Sequence, residues 1–309
     1  MYKWLVVAIM SIFILAFVFR QCTDVETSVD LYETINADIN IKDTVVIKIE
    51  SEKIHSLSTQ KLDLKNIEDL PCITADTLNV DLEVPRIIEP VPNQILKREG
   101  YRLSYNKTTK CANWVAWKLT KEHTDGVWSR KGLKYIEDLD AEYPRQEVED
   151  WKINPERYDH GHMCPAGDNK WSKLAMEQSF LLTNMCPQNR KLNGGDWKEL
   201  EEKCRDWANK YDEIYIVCGP IFYNGKNVTI GGYKEIWVPD AFYKVVLCMK
   251  GISKSIGFIF PNKGKHHSME HYVTTVDEVE NITGIDFFQA LSDDIEFTVE
   301  SKADISIWD

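Results

Sequence analysis

Residues 158–205 read YDHGHMCPAGDNKWSKLAMEQSFLLTNMCPQNRKLNGGDWKELEEKCR, and this stretch decides both the fold and the chemistry. Near its end, Asn193, Trp197, Glu201 and Arg205 recur at intervals of four. On an α-helix each step of four overshoots a full turn by only about 40°, which predicts one slowly drifting stripe on a single face. The stripe holds a hard oxygen ligand, a carboxylate and a guanidinium. Together with a histidine from the DHGH run on a neighbouring strand or loop, these are the parts needed to cut a phosphodiester with a divalent cation. The implied chemistry is that of a metal-dependent nuclease.

The surrounding chain predicts an α+β domain. YRLSYN and ANWVAWKLT read as strands, FLLTNMCPQN as a buried strand running into a loop, and residues 196–210 as an amphipathic helix. EIYIVCGPIF reads as a central strand closed by Gly219-Pro220, and AFYKVVLCM and SIGFIFPN as further strands. Strands dominate, with helices packed on them, so a mixed or antiparallel central sheet is expected.

Upstream of about residue 95 the texture differs. Residues 22–95 are acidic and poor in aromatics and end in the proline-rich VPRIIEPVPNQ, which reads as a spacer with short strands at 44–50 and 78–84. Residues 96–309 form the expected catalytic domain. Residues 4–19 (WLVVAIMSIFILAFVF) are apolar apart from Ser11 and flanked by Lys3 and Arg20. They suit an export signal or an N-terminal membrane anchor within residues 1–21, making the protein periplasmic, secreted or cell-surface, with a tether through 4–19 as one form. Whether the segment is cleaved, and whether Cys22 carries lipid, stays open.

A net charge of -12 argues at first against a nucleic-acid partner. Its distribution reverses that. Residues 21–100 hold 8 basic and 16 acidic side chains and residues 277–309 hold 1 and 10, leaving a net +3 for residues 101–276. The middle of the chain can therefore meet a polyanion, in a manner suited to turnover more than to tight stationary binding. With 43% hydrophobic residues, 10 Trp and 13 Tyr, whole-chain disorder is excluded. The 8 cysteines lack close CxxC pairs, which weakens a structural zinc reading, and Cys164–Cys186 is one conceivable disulfide.

The segments DHGHMCPAGD (159–168), TNMCPQ (183–188) and Asn193, Trp197, Glu201 closely resemble the DNA/RNA non-specific endonucleases of the ββα-metal class. That family's pattern is D-R-G-H-x-x-P-x-x-D, then T/S-N-x-x-P-Q, then N-x-x-x-W-x-x-x-E. The resemblance runs from about Gly100 through VCGPIF and GIDFF, about two thirds of the chain. It implies a ββα-metal motif, DNA and RNA as substrates, one Mg²⁺ or Mn²⁺, and 5′-phosphate products.

On this reading His162 is the general base, since a neutral imidazole can take a proton from attacking water. Asn193 is the direct metal ligand through its amide oxygen, with an N-cap as its ordinary alternative. Glu201 and Asp159 act through the metal's waters. Arg205 either neutralises charge building on phosphorus or merely pairs with Glu201 along the helix. Asn184 and Gln188 match family positions near the metal and phosphate, or else satisfy loop backbone. Trp197 is expected to be core or a wall of the site, and Asp168 structural. Lys170, Lys173, Arg190 and Lys191 form a candidate phosphate rail. His160 stands where the family has Arg, so a permanent cation is replaced by a titrating one, and substrate affinity or pH range is expected to change. Two rival functions remain: a cell-surface phosphodiesterase of small nucleotides, and a non-catalytic nucleic-acid-binding or adhesion module.

Overall fold

Successive side chains of a strand point to opposite faces, and the central strands are apolar at nearly every position, so the sheet they form is covered on both sides. The computed structural model of the chain describes residues 81–223 and 228–308. Its strands are β1 (Arg86–Ile87), β2 (Gln94–Lys97), β3 (Arg102–Asn106), β4 (Cys111–Thr120), β5 (Asp159–His162), β6 (Met185–Gln188), β7 (Glu213–Ile221), β8 (Thr229–Ile230), β9 (Ile236–Trp237), β10 (Ala241–Cys248), β11 (Lys254–Pro261), β12 (Val273–Thr274) and β13 (Ile285–Asp286). The α-helices are α1 (Lys173–Gln178), α2 (Arg190–Gly194), α3 (Asp196–Tyr211), α4 (Val276–Thr283) and α5 (Asp293–Glu300). Seven strands form one sheet in the order β12-β11-β10-β7-β4-β3-β2. All its pairings are antiparallel.

Spatial order follows chain order, with one long excursion between β4 and β7. That excursion carries the β5–β6 pair, α2 and α3. One face of the sheet, with Trp117, Ile216, Phe242 and Val246, packs against Trp197, Leu200 and Cys204 of α3 and Met163 after β5. The opposite face, with Trp114, Val217, Tyr243 and Val245, packs against Val276 and Val279 of α4 and Val299 of α5. Fully burying each such large apolar side chain contributes about 1.5–3 kcal/mol. The α+β class with an antiparallel central sheet is as expected.

Several local expectations are corrected. The helical stripe is broken at Gly195, whose φ of -114° and ψ of -115° separate α2 from α3. Asn193 therefore stands on its own short helix, while α3 carries Trp197, Glu201 and Arg205. Strand β7 runs through Gly219-Pro220, with Pro220 opposite Phe242 of β10; pairing with β4 ends at Cys218, so Pro220 sits where β7 has one open edge. In FLLTNMCPQN the strand begins only at Met185, after a 3₁₀ turn at Leu182–Asn184. Ordered packing reaches upstream of residue 95: Leu82 is buried and β1 pairs with β13, in residues assigned above to the spacer. Cys164 and Cys186 are free, buried thiols with no bond between them. Among the described residues no helix is long and apolar enough to cross a membrane. Residues 4–19, Cys22 and the strand expected at 44–50 lie outside the described residues, as do 78–80; the described 81–84 form a turn.

Candidate active site

β5 and β6 form an antiparallel ribbon that pairs Asp159 with Gln188 and His162 with Met185. The ribbon is held to α3 by Trp197, whose indole Nε1 donates to the His162 carbonyl oxygen at 3.3 Å. The same indole bonds the Glu201 carboxylate, which ties the helix stripe to the strand that carries the histidines. Trp197 is fully buried, so it is core, not a stacking platform.

His162 is 8% exposed, and its Nε2 is buried with no hydrogen-bond partner. A hydrogen bond to the His160 carbonyl engages the ring's other nitrogen, which leaves Nε2 with the free lone pair. Phe180 meets the ring edge-on at 5.1 Å and Tyr135 lies 5.9 Å away. Burial, then the charge of Arg130, then His160 push its pKa down to about 3. The imidazole is therefore neutral across the physiological range.

Asp159 heads the strand and is gripped by α2. Asn193 Nδ2 donates to Asp159 Oδ2 at 3.1 Å and Arg190 Nε to Oδ1 at 3.1 Å. The N-cap of α2 is Asn189, whose side chain accepts from the Lys191 amide, so Asn193 is not a cap. Its amide oxygen is the atom available to a cation. Gln188 is fully buried with neither amide atom partnered, packed so closely on Gly161 that any Cβ there would collide with it. Carboxylate and amide oxygens, without thiolate, make a donor set for a hard divalent cation, and the orphaned Gln188 amide fits a polar ligand at this ribbon. Burial pushes Glu201 up to about 7, with Lys244 and Arg205 opposing and Asp168 adding to the rise. A nearby cation would favour its charged form.

Three expected residues are placed differently. Asn184 spends its whole amide on backbone: Nδ2 donates to the Cys164 and Ser179 carbonyls and Oδ1 accepts from the Cys164 N–H, all at 2.9 Å. It braces the turn after His162. Arg205 pairs with Asp168, Nη1 to Oδ1 at 2.9 Å, and Asp168, which is buried as expected, also accepts from Trp117 Nε1 at 3.1 Å. Its guanidinium is thus committed inward. His160 is sandwiched between the rings of Trp151 (3.7 Å) and Tyr135 (4.0 Å), and burial pushes its pKa down to about 4. It is neutral at pH 7 and supplies no phosphate-binding cation.

The rail is only partly assembled. Arg190 and Lys191 line a cleft of about 460 Å³ with Arg157, Tyr158 and Glu156. Lys173 instead pairs with Glu177 at 3.7 Å.

Sequence reading missed Arg130, Arg157 and Lys244. Arg130 lies exposed over the Phe180 ring, 5.7 Å from its centroid, close enough to depress His162. Its signal was the basic SRKGLK run. Lys244 is completely buried, its Nζ 4.5 Å from the Trp197 ring centroid and 5.1 Å from that of Trp117. Burial alone would lower its pKa, but the acidic groups around it, Cys218, Cys204, Glu201 and Asp168, reverse the sign. Its inward position between Phe242 and Val246 in the alternation of β10 was the available signal.

A family model described as DNA/RNA non-specific endonuclease matches residues 82–294. A nuclease of Nostoc sp. is 30% identical over 223 residues, covering 69% of this chain and 79% of that protein. The mitochondrial nuclease EXOG of Danio rerio is 34% identical over 204 residues, covering 61% of this chain and only 59% of that protein. A chain of the solved EndoG/EndoGI complex shares the fold with a TM-score of 0.61 at 24% identity, covering 66% of this chain and 89% of its own. The family match takes in the β5–β6 ribbon, α2 and α3, together with the sheet that supports them. The chain belongs to the DNA/RNA non-specific endonuclease family.

Proposed function

We propose that the domain is an endonuclease that hydrolyses phosphodiester bonds of DNA and RNA without sequence preference, using Mg²⁺ or Mn²⁺ and leaving 5′-phosphates. The observation that carries this reading is His162: a neutral imidazole with an unpartnered Nε2, on the same strand as the Asp159–Asn193 pair. A divalent cation held by Asn193, with Asp159 and Glu201 reaching its water shell, would supply Lewis-acid stabilisation of the charge on phosphorus. His162 Nε2 takes the proton of the attacking water, and the hydrogen bond at its other nitrogen keeps the ring aimed. Arg130, exposed and permanently charged, stands beside the base as the cation for the reacting phosphate. Arg157, Arg190 and Lys191 in the cleft hold the flanking backbone by charge alone, which carries no sequence information. Export through residues 4–19, as signal or tether, belongs to the same proposal.

Nicking of supercoiled plasmid, with and without chelator, tests it. Chelator should abolish nicking, and Asn193→Ala should raise the half-saturating Mg²⁺ concentration by at least about tenfold, with activity recovering at high metal. Unchanged metal dependence in folded Asn193→Ala would remove Asn193 from the ligand set. Failure of wild type to cut long duplex internally, while small nucleotide diesters are hydrolysed, would replace the endonuclease reading with a phosphodiesterase.

His160→Arg tests the departure from the family pattern. His160 protonates only near pH 4, so its charge contributes nothing above about pH 5. An arginine stacked between Tyr135 and Trp151 would keep its charge at every pH. The gain in kcat/KM should be uniform from about pH 6 to about pH 9, because a guanidinium does not titrate there. The salt slope should steepen by about 0.9, the value for one added phosphate contact. A gain confined to alkaline pH would show instead that His160 titrates near neutrality in the enzyme–substrate complex.

A further inference from the structure

We propose that Asp277, Glu280 and Glu300 form a binding site for a hard divalent cation of calcium size, one that fastens helix α5 to helix α4 on the face of the sheet opposite the nuclease centre. One carboxylate oxygen from each of the three lies within 4.8 Å of the others. Asp277 and Glu280 are one turn apart on α4, so their side chains share a face. Glu300 comes from the last residue of α5 and is 2% exposed, and its Oε1 is buried with no hydrogen-bond partner. A buried carboxyl oxygen left unpaired loses its hydration without compensation, and native structures supply such groups with a partner; a bound cation would take the place of the proton that the surrounding acids make Glu300 retain.

Among the described residues no cation pairs with that oxygen. Arg86, the cation felt by the neighbouring Glu296, is bound to Asp286 at 2.6 Å. Asp286 and Glu296 add two further carboxylates to the surroundings of Glu300, and together these acids push it up to about 9 after burial has begun the rise. Glu280 commits one oxygen to the Phe287 N–H at 2.7 Å and keeps the other. The neighbouring residue Val299 is fixed in the core, with its carbonyl accepting from Ser255 Oγ at 2.8 Å, so Glu300 cannot swing to solvent without undocking α5.

The donor set identifies the ligand. Oxygen donors without nitrogen or sulfur select Ca²⁺ or Mg²⁺ over zinc or copper. The three oxygens lie close enough together for one ion to bridge them, and Ca²⁺ accepts an irregular carboxylate cage, whereas Mg²⁺ demands near-ideal octahedral geometry and keeps several of its waters. A second cluster, Asp196, Glu199 and His266, lacks such a vacancy, because the Asp196 oxygens are already taken by Tyr272, His266 and the His267 N–H. Three of the 10 acidic residues of 277–309, a stretch that the nuclease reading leaves unused, belong to the proposed site.

The test is calcium-dependent melting of the full chain after chelator treatment, in wild type, Asn193→Ala, Glu300→Gln and Asp277→Asn. Wild type and Asn193→Ala should both gain about 5–10 °C in Tm at a Ca²⁺ concentration a hundredfold above the dissociation constant. Glu300→Gln keeps the shape and removes the charge. It should lose the calcium response while cleaving DNA in Mg²⁺ at the wild-type rate. Asp277→Asn, at a more exposed ligand, should weaken the response by about tenfold or more in Ca²⁺ concentration, and guards against misfolding of the Glu300 variant. No calcium response in Asn193→Ala, or an undiminished one in both Glu300→Gln and Asp277→Asn, overturns the proposal. The nuclease reading survives either result, since it rests on plasmid nicking.

Discussion

His162→Ala is expected to lower plasmid cleavage by 10²-fold or more, the loss typical of a general base. The substitution keeps the backbone carbonyl that accepts from Trp197, so the tie between strand β5 and helix α3 survives. What disappears is Nε2 and the ring that packs on Phe180 and Tyr135. The vacated space should cost about 2–5 kcal/mol of stability, so activity must be measured well below the lowered melting point. Metal titration should be unchanged, because the imidazole is not counted among the ligands. The cavity admits free imidazole, and added imidazole should restore part of the rate. A folded variant that keeps more than a tenth of wild-type activity, or one indifferent to imidazole, would take the base away from His162.

Arg205→Ala is expected to destabilise the domain strongly. It leaves Asp168, 3% exposed, charged or protonated in the core with only Trp117 and the more distant Lys244 to answer it. Removing one partner of a buried ion pair costs about 3–5 kcal/mol. In a domain of this size that is a Tm fall of about 6–20 °C. Asp168→Asn in the Arg205→Ala background removes the stranded charge and should recover at least half of the lost stability. The double variant also decides between two roles for Arg205. If the guanidinium is purely an inward brace, the refolded double variant cleaves DNA within about tenfold of wild type. A double variant that regains its fold and still loses 10²-fold or more would return Arg205 to the reacting phosphate, at the magnitude expected for removing a charge-stabilising donor.

Much of this protein was legible in one dimension. Apolar runs rich in aromatic and β-branched residues in ANWVAWKLT, EIYIVCGPIF, AFYKVVLCM and SIGFIFPN located four strands of the sheet, and the apolar spacing within residues 196–210 located α3. The position of His162, Asn193 and Glu201 in a fixed pattern of intervals carried the family and the chemistry, because those intervals place donors on one strand and on two successive helices. Local backbone detail was less legible. The intervals of four suggested one continuous helix, but the Gly194-Gly195 pair permits a break that spacing alone does not register.

The sequence by itself determined the residue types and their separations along the chain, and so the class of fold, the family, and which residues are candidates for the base and the oxygen ligands. Only the tertiary structure decided what each charged or polar group faces. Asn184 turned out to brace a turn and Arg205 to answer Asp168. His160 turned out to lie neutral between Trp151 and Tyr135, while Arg130 arrived beside the base from an unremarked basic run. The physical reason is that periodicity encodes burial, which is a property of one residue and its own element. Partnership is a property of two elements whose docking brings together groups far apart in the chain, and at short range in a desolvated interior that docking fixes charge state and role.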